Sequence, residues 1–421
     1  PLYLDVVAAV AEHWPGPRPR VVGGRYGLAS KEFTPAMAKA VLDNLATSPP
    51  QNHFTVGITD DVTHHSLEVD PSFDTEHPDT FRAVFYGLGS DGTVGANKNA
   101  IKIIGEATGL HTQGYFVYDS KKAGSVTVSH LRFGPQPIRS SYLIRQAQLV
   151  ACHHWDFLEQ FDLLELAAPG ASLLLNSPWP PEQCWPHIPA RVQAQIQAKG
   201  LRVFALNASA IAQEHGLGHT INTVMQVGFF AVAKVMAMPA ALSAIRSAIQ
   251  HSYGHKGEAI VARNLAAAEA ALGGLREITP TPGAIDPGAM APAPIPCPAH
   301  LATAPAVVRE LVLPQLQRRA DALPVSALPC DGSFASGTAQ WEKRNIAEAI
   351  PVWEPDLCVQ CGKCLMVCPH AVIRATVVEP AALAGGPDGF RSAPARDHHF
   401  QGQRFTIQVA GEDCTGCSLC V

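Results

Sequence analysis

The spacing of seven cysteines near the end of the chain constrains its fold more than any other feature. They fall in two runs, which we call the first cysteine loop (residues 358–364) and the second cysteine loop (residues 414–420). The first run continues as C-x2-C-x2-C-x3-C-P, and the second repeats its three leading cysteines. The seven are Cys358, Cys361, Cys364, Cys368, Cys414, Cys417 and Cys420. Thiolates at this spacing hold [4Fe–4S] clusters, so the pattern predicts two clusters.

Where a protein holds two such clusters, the cysteine before the proline ligates the other cluster. We therefore expect the first loop to hold one cluster and Cys368 to join the second loop on the other. The first cluster then needs one more ligand, which we expect four residues beyond Cys420. Because the sequence starts at Pro1 and ends at Val421, we expect it to be an internal piece of a longer protein.

Zinc and disulfides are the alternative uses of these cysteines. Structural zinc favours two C-x2-C pairs a dozen or more residues apart, which would leave the third cysteine of each run without a role. An odd total of 11 cysteines, in a chain without a recognisable secretory signal, argues against a disulfide framework.

The composition excludes some classes of partner. A net charge of −5 and an isoelectric point near 6.4, without a run of Lys or Arg, exclude the basic footprint of a nucleic-acid-binding protein. The longest apolar stretch, residues 224–242, contains Gln226, Lys234 and Pro239, so we expect a buried helix and not a membrane span. We expect a cytoplasmic protein without membrane or nucleic-acid partners.

Hydrophobic periodicity predicts an α/β domain ahead of the cysteines. A strand at 83–86, a Gly-rich turn at 87–92, a helix from Thr93 and a strand at 115–118 form a β–α–β pattern, which predicts a parallel sheet. Further strands are predicted at 20–22, 54–58, 127–131, 148–152, 171–177 and 202–206. Helices are predicted at 2–13, 190–200, 219–242, 260–275 and 304–322, and Thr34 with Pro35 begins another. An irregular connection is expected at 178–189 and a Pro-rich linker at 280–298.

The Gly-rich turn at 87–92 has the form G-x-G-x-x-G, a weak dinucleotide fingerprint in which Asp119 would bind a ribose hydroxyl. Its glycines would let the backbone approach a phosphate at the start of a helix. Lys121 and Lys122 follow, and two lysines suit an extra phosphate, so coenzyme A fits as well as NADP does. A solvated turn explains the lysines equally well.

Two further polar pairs have simple structural explanations. His153 and His154 are neighbours at the end of a predicted strand, so their side chains should point to opposite faces and we predict no metal site there. Asn222 and Asn264 lie near the starts of predicted helices, where an asparagine is usually a cap or a surface residue.

Four stretches of the sequence together resemble one family. They are RVVGGRYGLASKEFTPAMAKAVLDN (20–44), YGLGSDGTVGANKNAIKIIGEATG (86–109), YFVYDSKKAGSVTVSHLRFG (115–134) and residues 337–374, which include the first loop. On these stretches the chain resembles the single-chain pyruvate:ferredoxin (flavodoxin) oxidoreductases, relatives of the 2-oxoacid:ferredoxin oxidoreductases. The first stretch looks like the end of a transketolase C-terminal-like domain, and the next two look like a gamma-type domain that binds coenzyme A. The last looks like a connector followed by a two-cluster ferredoxin domain.

The resemblance implies an α/β multidomain protein, with a parallel-sheet gamma-type domain plus a two-cluster ferredoxin-like α+β domain. The implied boundaries are 1–50 for the end of the transketolase-like domain and 51–279 for the gamma-type domain. Residues 280–350 would be linker and connector, and residues 351–421 the cluster domain.

The resemblance also implies a reaction, in which pyruvate and coenzyme A give acetyl-CoA and CO2 while two electrons pass through clusters to ferredoxin or flavodoxin. Thiamine diphosphate, Mg²⁺ and a third [4Fe–4S] cluster would belong to domains outside this chain, and the whole enzyme would be a homodimer. No catalytic residue would then lie in this chain. By the family pattern, coenzyme A would contact Ser90, Asp91, Gly92, Thr93, Val94, Lys122, Asn222 and Asn264.

Two other hypotheses remain open from the residues alone. A self-standing electron-transfer module would bind a flavin or a nicotinamide at the Gly-rich turn and pass electrons to two clusters. A structural zinc module would hold no iron.

Overall fold

A computed structural model of the chain describes residues 2–27, 32–89, 91–119, 124–218, 220–280, 295–347 and 349–421. The chain divides into two compact units. The first unit comprises Pro1–Asp119 and Val126–Thr338, and the second comprises Ser120–Ser125 and Ala339–Val421. Each unit is built around a sheet of its own.

The first fifty residues form two helices, α1 (Leu2–His13) and α2 (Pro35–Ala46). Thr34 caps α2 because its side chain accepts a hydrogen bond from the Met37 N–H, which confirms the predicted start of this helix. A two-residue parallel pairing joins β1 (Gly24–Arg25) to β2 (Phe54–Thr55). The strand predicted at 20–22 is therefore wrong, and the one predicted at 54–58 is shorter than expected.

A seven-stranded sheet forms the centre of the first unit. Its strands are β3 (Phe81–Leu88), β4 (His111–Tyr118), β5 (Val126–Gly134), β6 (Ala147–Cys152), β7 (Ala167–Asn176), β8 (Arg202–Leu206) and β9 (Arg276–Ile278). Their order across the sheet is β4-β5-β3-β6-β7-β8-β9. The four central strands β3, β6, β7 and β8 are parallel, as predicted, and are buried for most of their length, which is typical of a sheet covered on both faces.

One edge of this sheet differs from the parallel β–α–β unit that was predicted. Strands β3 and β4 point the same way, but β5 lies between them and is antiparallel to both. The burial of the two strands follows their positions: all nine residues of β5 are buried, whereas every residue of β4 is partly buried or exposed. β5 is buried although it carries polar residues, and its Arg132 is satisfied there by hydrogen bonds to Glu76 and Gln113.

Helices cover both faces of the sheet. They are α3 (Thr93–Thr108), α4 (Phe157–Gln160), α5 (Pro181–Cys184), α6 (Ala190–Lys199), α7 (Ala208–Glu214), α8 (Asn222–Ala233), α9 (Met238–Tyr253) and α10 (Glu258–Gly274). Ala83 and Phe85 of β3 belong to one apolar core with α3 and α7–α10, while Val84 and Tyr86 belong to a second core with α4–α6. Alternate strand residues thus face opposite helical layers.

Two predicted helices and one predicted connection are corrected by the structure. The helix expected at 219–242 is two helices, because Lys234 adopts a left-handed conformation (φ 52°) and Pro239 begins a new first turn. The helix expected at 304–322 is a π-helix at Val308–Val312 followed by the short α11 (Leu313–Leu316). The connection expected at 178–189 contains α5, and most of the linker expected at 280–298 lies outside the described residues.

The described part of the second unit contains a three-stranded antiparallel sheet and one short α-helix. The helix is α12 (Lys363–Val367), and the strands are β10 (Ile373–Val378), β11 (Ala393–Pro394) and β12 (Arg404–Val409), in the order β10-β12-β11. Its buried core is small and consists of Val372, Ile373, Ile407 and Cys414.

Short 3-10 helices complete the described chain, at Leu163–Leu166, Trp185–His187, Gly254–Lys256, Ala299–Leu301, Ala320–Ala322, Val325–Ala327, Thr338–Trp341, Pro380–Leu383, His398–Phe400 and Gly411–Asp413. Within the described ranges, every helix falls short of the length and hydrophobicity that a membrane span requires.

Candidate functional site

The two cysteine loops share one backbone conformation. In each loop, the second and fourth residues after the first cysteine have positive φ: Gln360 (57°) and Gly362 (72°) in the first loop, Gly416 (68°) and Ser418 (59°) in the second. Left-handed residues at two alternate positions curl the backbone into a turn, and the N–H groups of such turns can form a concavity that favours anions. The two loops are therefore equivalent in shape as well as in cysteine spacing.

Backbone N–H groups in these loops point at sulfur. The Gln360 N–H donates to Cys358 Sγ at 3.3 Å, and the Gly416 N–H donates to Cys414 Sγ at 3.4 Å. Burial alone would raise the pKa of Cys368, but hydrogen bonds from the N–H groups of residues 370–373 together lower it. These donors stabilise thiolate, which is the form of cysteine that binds metal.

Four cysteines line a single cavity of about 110 Å³, namely Cys368, Cys414, Cys417 and Cys420. Apolar side chains, among them Ile350 and Val372, form much of its wall. Burial raises the pKa of Cys420, and the charges of the other three cysteines raise it further. Cys368 therefore lies with the second loop, although it follows the first loop in sequence.

The first loop is more open. Cys358 and Cys364 are partly buried and pack against the small core of the second unit, while Cys361 is exposed. Tetrahedral zinc, with Zn–S near 2.3 Å, would bring four sulfurs to about 3.8 Å from one another. Among the described residues, only Asp397, His398 and His399 bring three such ligand atoms within 4.8 Å of one another. No three cysteine sulfurs of the described residues lie that close together, so the cysteines do not form a preorganised tetrahedral zinc site.

The Gly-rich turn is closed by the side chain of Asp91. Its Oδ2 accepts hydrogen bonds from the Leu88 N–H and the Thr93 hydroxyl, both at 2.8 Å, and its Oδ1 accepts from the Thr93 N–H at 2.7 Å. Gly92 follows with φ 87° and is the N-cap of α3. Because β5 separates β3 from β4, Asp119 at the end of β4 is not on the neighbouring strand that a dinucleotide fingerprint requires.

Asn222 lies directly beside this turn. It is the first residue of α8, and a Cβ atom built on Gly92 would lie 3.0 Å from its side chain. The N-termini of α3 and α8 therefore meet, which favours an anion between them. Asn222 Nδ2 donates to the Tyr253 hydroxyl at 3.3 Å, and its buried Oδ1 has no hydrogen-bond partner among the described residues.

The other residues predicted to contact coenzyme A fall in three groups. Asn264 is buried, and its Oδ1 accepts a hydrogen bond from the Thr223 hydroxyl at 3.1 Å, so it lies behind Asn222. Val94 is partly exposed in the first turn of α3. Ser90 and Lys122 lie outside the described residues.

Comparison with known proteins agrees with this architecture. Residues 82–273 match the family described as pyruvate ferredoxin/flavodoxin oxidoreductase, residues 296–347 match a domain of unknown function, and residues 350–373 match a 4Fe–4S binding domain. All 421 residues align with a putative pyruvate-flavodoxin oxidoreductase of Synechocystis sp. at 55% identity, covering 34% of that protein. Residues 82–273 therefore contain the domain that defines the pyruvate ferredoxin/flavodoxin oxidoreductase family, and the whole chain is similar to part of these longer proteins. It spans about a third of the length of the curated relatives it matches.

Two further matches differ in how much of the chain they cover. A probable pyruvate-flavodoxin oxidoreductase of Escherichia coli is 47% identical over 425 aligned residues, which are 100% of this chain and 36% of that protein. A crystal structure of a pyruvate oxidoreductase subunit from Thermotoga maritima matches 47% of this chain and 98% of its own, with a TM-score of 0.38 and 16% identity.

The family resemblance predicted from the sequence is thus confirmed. The predicted fold class is confirmed as well, since the first unit is α/β with a parallel central sheet and the second is α+β. The match to a 4Fe–4S binding domain at 350–373 covers the first loop and Cys368. Which cysteines bind which cluster, and which residues contact coenzyme A, stay predictions.

Sequence reasoning missed two polar residues beside the Gly-rich turn. The Thr93 hydroxyl lies 2.6 Å from Nδ1 of His153, and Asn176 Nδ2 donates to the His153 carbonyl at 3.0 Å. The two missed residues are His153, which follows β6, and Asn176, which ends β7. Both therefore lie at the carboxyl edge of the parallel strands, where ligands bind in such folds. A polar residue at the end of each buried strand is the signal that could have identified them.

His153 is neutral at physiological pH. Burial lowers its pKa to about 4, and the carboxylate of Asp91 opposes that shift only in part. If the Thr93 hydroxyl donates to Asp91, then His153 Nδ1–H donates to Thr93, and Nε2 carries the lone pair. His153 therefore fixes Thr93, and with it the start of α3.

Proposed function

We propose that this chain is the segment of a pyruvate:ferredoxin or pyruvate:flavodoxin oxidoreductase that binds coenzyme A and relays electrons. The observation that carries the proposal is the cavity shared by Cys368 and the second loop, in a chain that also contains an oxidoreductase domain. The first loop, of the same backbone conformation, would hold the other cluster. When bound, the clusters supply one-electron transfer at potentials set by hydrogen bonds, charge and burial.

The reaction of the whole enzyme balances as follows. Pyruvate and coenzyme A give acetyl-CoA, CO2, one proton and two electrons, and ferredoxin or flavodoxin accepts the electrons. Thiamine diphosphate, Mg²⁺ and a third [4Fe–4S] cluster would be bound outside this chain, in a cytoplasmic homodimer. The role of this chain is to position the thiol substrate and to carry the electrons away.

The coenzyme A site is proposed at the meeting point of α3 and α8. The N–H groups at the two helix starts and the free Oδ1 of Asn222 offer complementary contacts to the phosphates and to a donor group of the ligand. Asp91 and Thr93 hold the turn in shape, while Ser90, Gly92, Val94 and Lys122 would complete the contacts. Asn264 would support Asn222 from behind through its bond with Thr223.

Binding of coenzyme A tests this site. Titration calorimetry on the full-length protein should detect coenzyme A binding, and Asn222→Ala should weaken it about tenfold because one hydrogen bond is lost. Gln213→Ala, which truncates an exposed amide on α7, is the matched control and should leave affinity unchanged. Binding of NADPH in place of coenzyme A would instead support a nicotinamide-dependent electron-transfer module.

The clusters are tested by iron and acid-labile sulfide analysis of the anaerobically purified full-length protein, with EPR after dithionite reduction. We expect EPR signals of reduced clusters after dithionite reduction, and we expect the same signals when pyruvate and coenzyme A are added in its place. Zinc without iron would contradict the electron-transfer proposal and leave only the coenzyme A site.

A further inference from the structure

Residues 343–345 run alongside the turn that leads into the second cysteine loop. The N–H groups of Arg344 and Asn345 both donate to the Glu412 carbonyl, at 3.0 and 2.9 Å. Nζ of Lys343 lies 3.1 Å from Oδ2 of Asp413 and 4.0 Å from Oε2 of Glu412. Three consecutive residues therefore hold the two residues that immediately precede Cys414.

The same segment reaches the other part of the chain that supplies a thiolate to this cavity. Nη1 of Arg344 donates to Nδ1 of His370 at 3.2 Å, and His370 follows Cys368 by two residues. His370 itself lines the cavity of the four cysteines. Lys343 and Arg344 thus connect the Cys368 segment to the Cys414 segment.

The ion pair between Lys343 and Asp413 is partly shielded from solvent. The side chain of Lys343 is only 23% exposed, so its ion pair with Asp413 is stronger and less screened by salt than a surface pair. The guanidinium of Arg344 adds a positive charge beside a site that gathers four thiolates. A cation there opposes thiolate repulsion and favours the more negative, reduced form of a cluster.

We propose that Lys343 and Arg344 are positioning residues for the second cluster. They hold Cys368 at its place beside the second loop, and Arg344 raises the reduction potential of the cluster bound there. The inference rests on the proposed cluster at Cys368, Cys414, Cys417 and Cys420. It gives a role to the end of the segment that matches a domain of unknown function, residues 296–347.

The test compares variants of the full-length protein after anaerobic purification. Lys343→Met with Arg344→Met should lose up to about four iron and four sulfide per chain, and any second cluster that remains should have a lower potential. Cys414→Ser identifies the EPR signal of the second cluster, because that signal is the one it abolishes. The signal of the first cluster should persist in both variants.

Two controls separate a positioning role from general damage. Arg374→Met removes an exposed cation from β10 of the same unit and should change neither iron content nor potential. Lys343→Arg and Arg344→Lys keep the charges and should retain the cluster. Coenzyme A binding in the double variant reports that the first unit has folded.

Unchanged iron, sulfide and potentials in the double variant would overturn this inference while leaving the proposed function intact. If Cys414→Ser gave the same EPR signals as the wild type, the second cluster itself would be contradicted. The two failures are therefore distinguishable.

Discussion

Two residues in the cysteine loops adopt a backbone conformation that their side chains disfavour. Gln360 and Ser418 have φ of 57° and 59°, in the left-handed region where a residue with a Cβ is disfavoured by about 1–2 kcal/mol. Gln360 is held there by its side chain, whose Oε1 accepts from the Arg396 N–H and whose Nε2 donates to the Pro394 carbonyl. Cysteine spacing identifies these loops, but it does not indicate how a glutamine is kept in this conformation.

Gly92 is the residue at which the proposed coenzyme A site is most sensitive. Gly92→Ala would add a Cβ 3.0 Å from Asn222 at a φ of 87°, so we expect coenzyme A to bind about tenfold more weakly or worse. Calorimetric titration measures the change. Gly95→Ala is the control, because its Cβ would have no neighbour within 4 Å and should stabilise α3 by about 0.5–1 kcal/mol. If both variants bound coenzyme A with equal affinity, the Gly-rich turn would not be part of the coenzyme A site.

His153 makes the stability of the first unit depend on pH. Above pH 6.5 its imidazole is neutral in both the folded and the unfolded chain. Between pH 6.5 and about 4 the unfolded chain takes up a proton that the folded chain does not. The free energy of unfolding should therefore fall, by about 3 kcal/mol at pH 4.

Urea midpoints measured from pH 7.5 to 4.5 test this dependence. The amide of His153→Asn can still donate a hydrogen bond to the Thr93 hydroxyl but does not titrate, so the stability of this variant should decrease less over this range. His130, whose pKa burial lowers to about 3, contributes with the same sign in both proteins. Parallel pH profiles for wild type and variant would show that His153 is not the source.

At the scale of elements, α12 explains why Cys368 lies beside the second loop and not beside its neighbours in sequence. This five-residue helix begins after Gly362 and ends at Val367, and it carries the chain out of the first loop to Cys368. Cys368 then lies in the cavity of the second loop. A short helix thus separates one run of four cysteines into two predicted ligand sets.

Serine substitutions test this division. Cys368→Ser should remove the same EPR signal as Cys417→Ser, because both thiolates are predicted to bind the second cluster. Cys361→Ser should remove the other signal. If Cys368→Ser matched Cys361→Ser instead, the predicted crossing of ligands would be wrong.

At the scale of the whole molecule, the two units differ in the size of their cores. The first unit has two extensive apolar clusters on either side of its sheet, whereas the buried core of the second comprises Val372, Ile373, Ile407 and Cys414. So small a core contributes little stability, and metal binding then contributes much of the folding free energy.

Removal of iron should therefore affect the units unequally. Chelation of iron without denaturant should abolish the hydrogen-exchange protection of the amides in β10 and β12. The amides in β3 and β6 should remain protected. Anaerobic reconstitution with iron and sulfide should restore the lost protection. Retained protection in β10 and β12 without iron would mean that the second unit folds on its own core.

The sequence by itself determined the features that depend on neighbouring residues. The cysteine spacing, the capped start of α2 at Thr34 and the buried central strands all follow from local pattern, because each is specified within one loop, turn or strand. The family resemblance came from the same local stretches. Its implied domain boundaries remain predictions.

Only the tertiary structure decided which distant segments meet. The insertion of β5 between β3 and β4, the contact of Asn222 with Gly92, and the bond between Thr93 and His153 each join residues far apart in sequence. The bridge from Arg344 to His370 is of the same kind. Such contacts depend on how whole strands and helices pack, and a residue pattern read along the chain carries no measure of that packing.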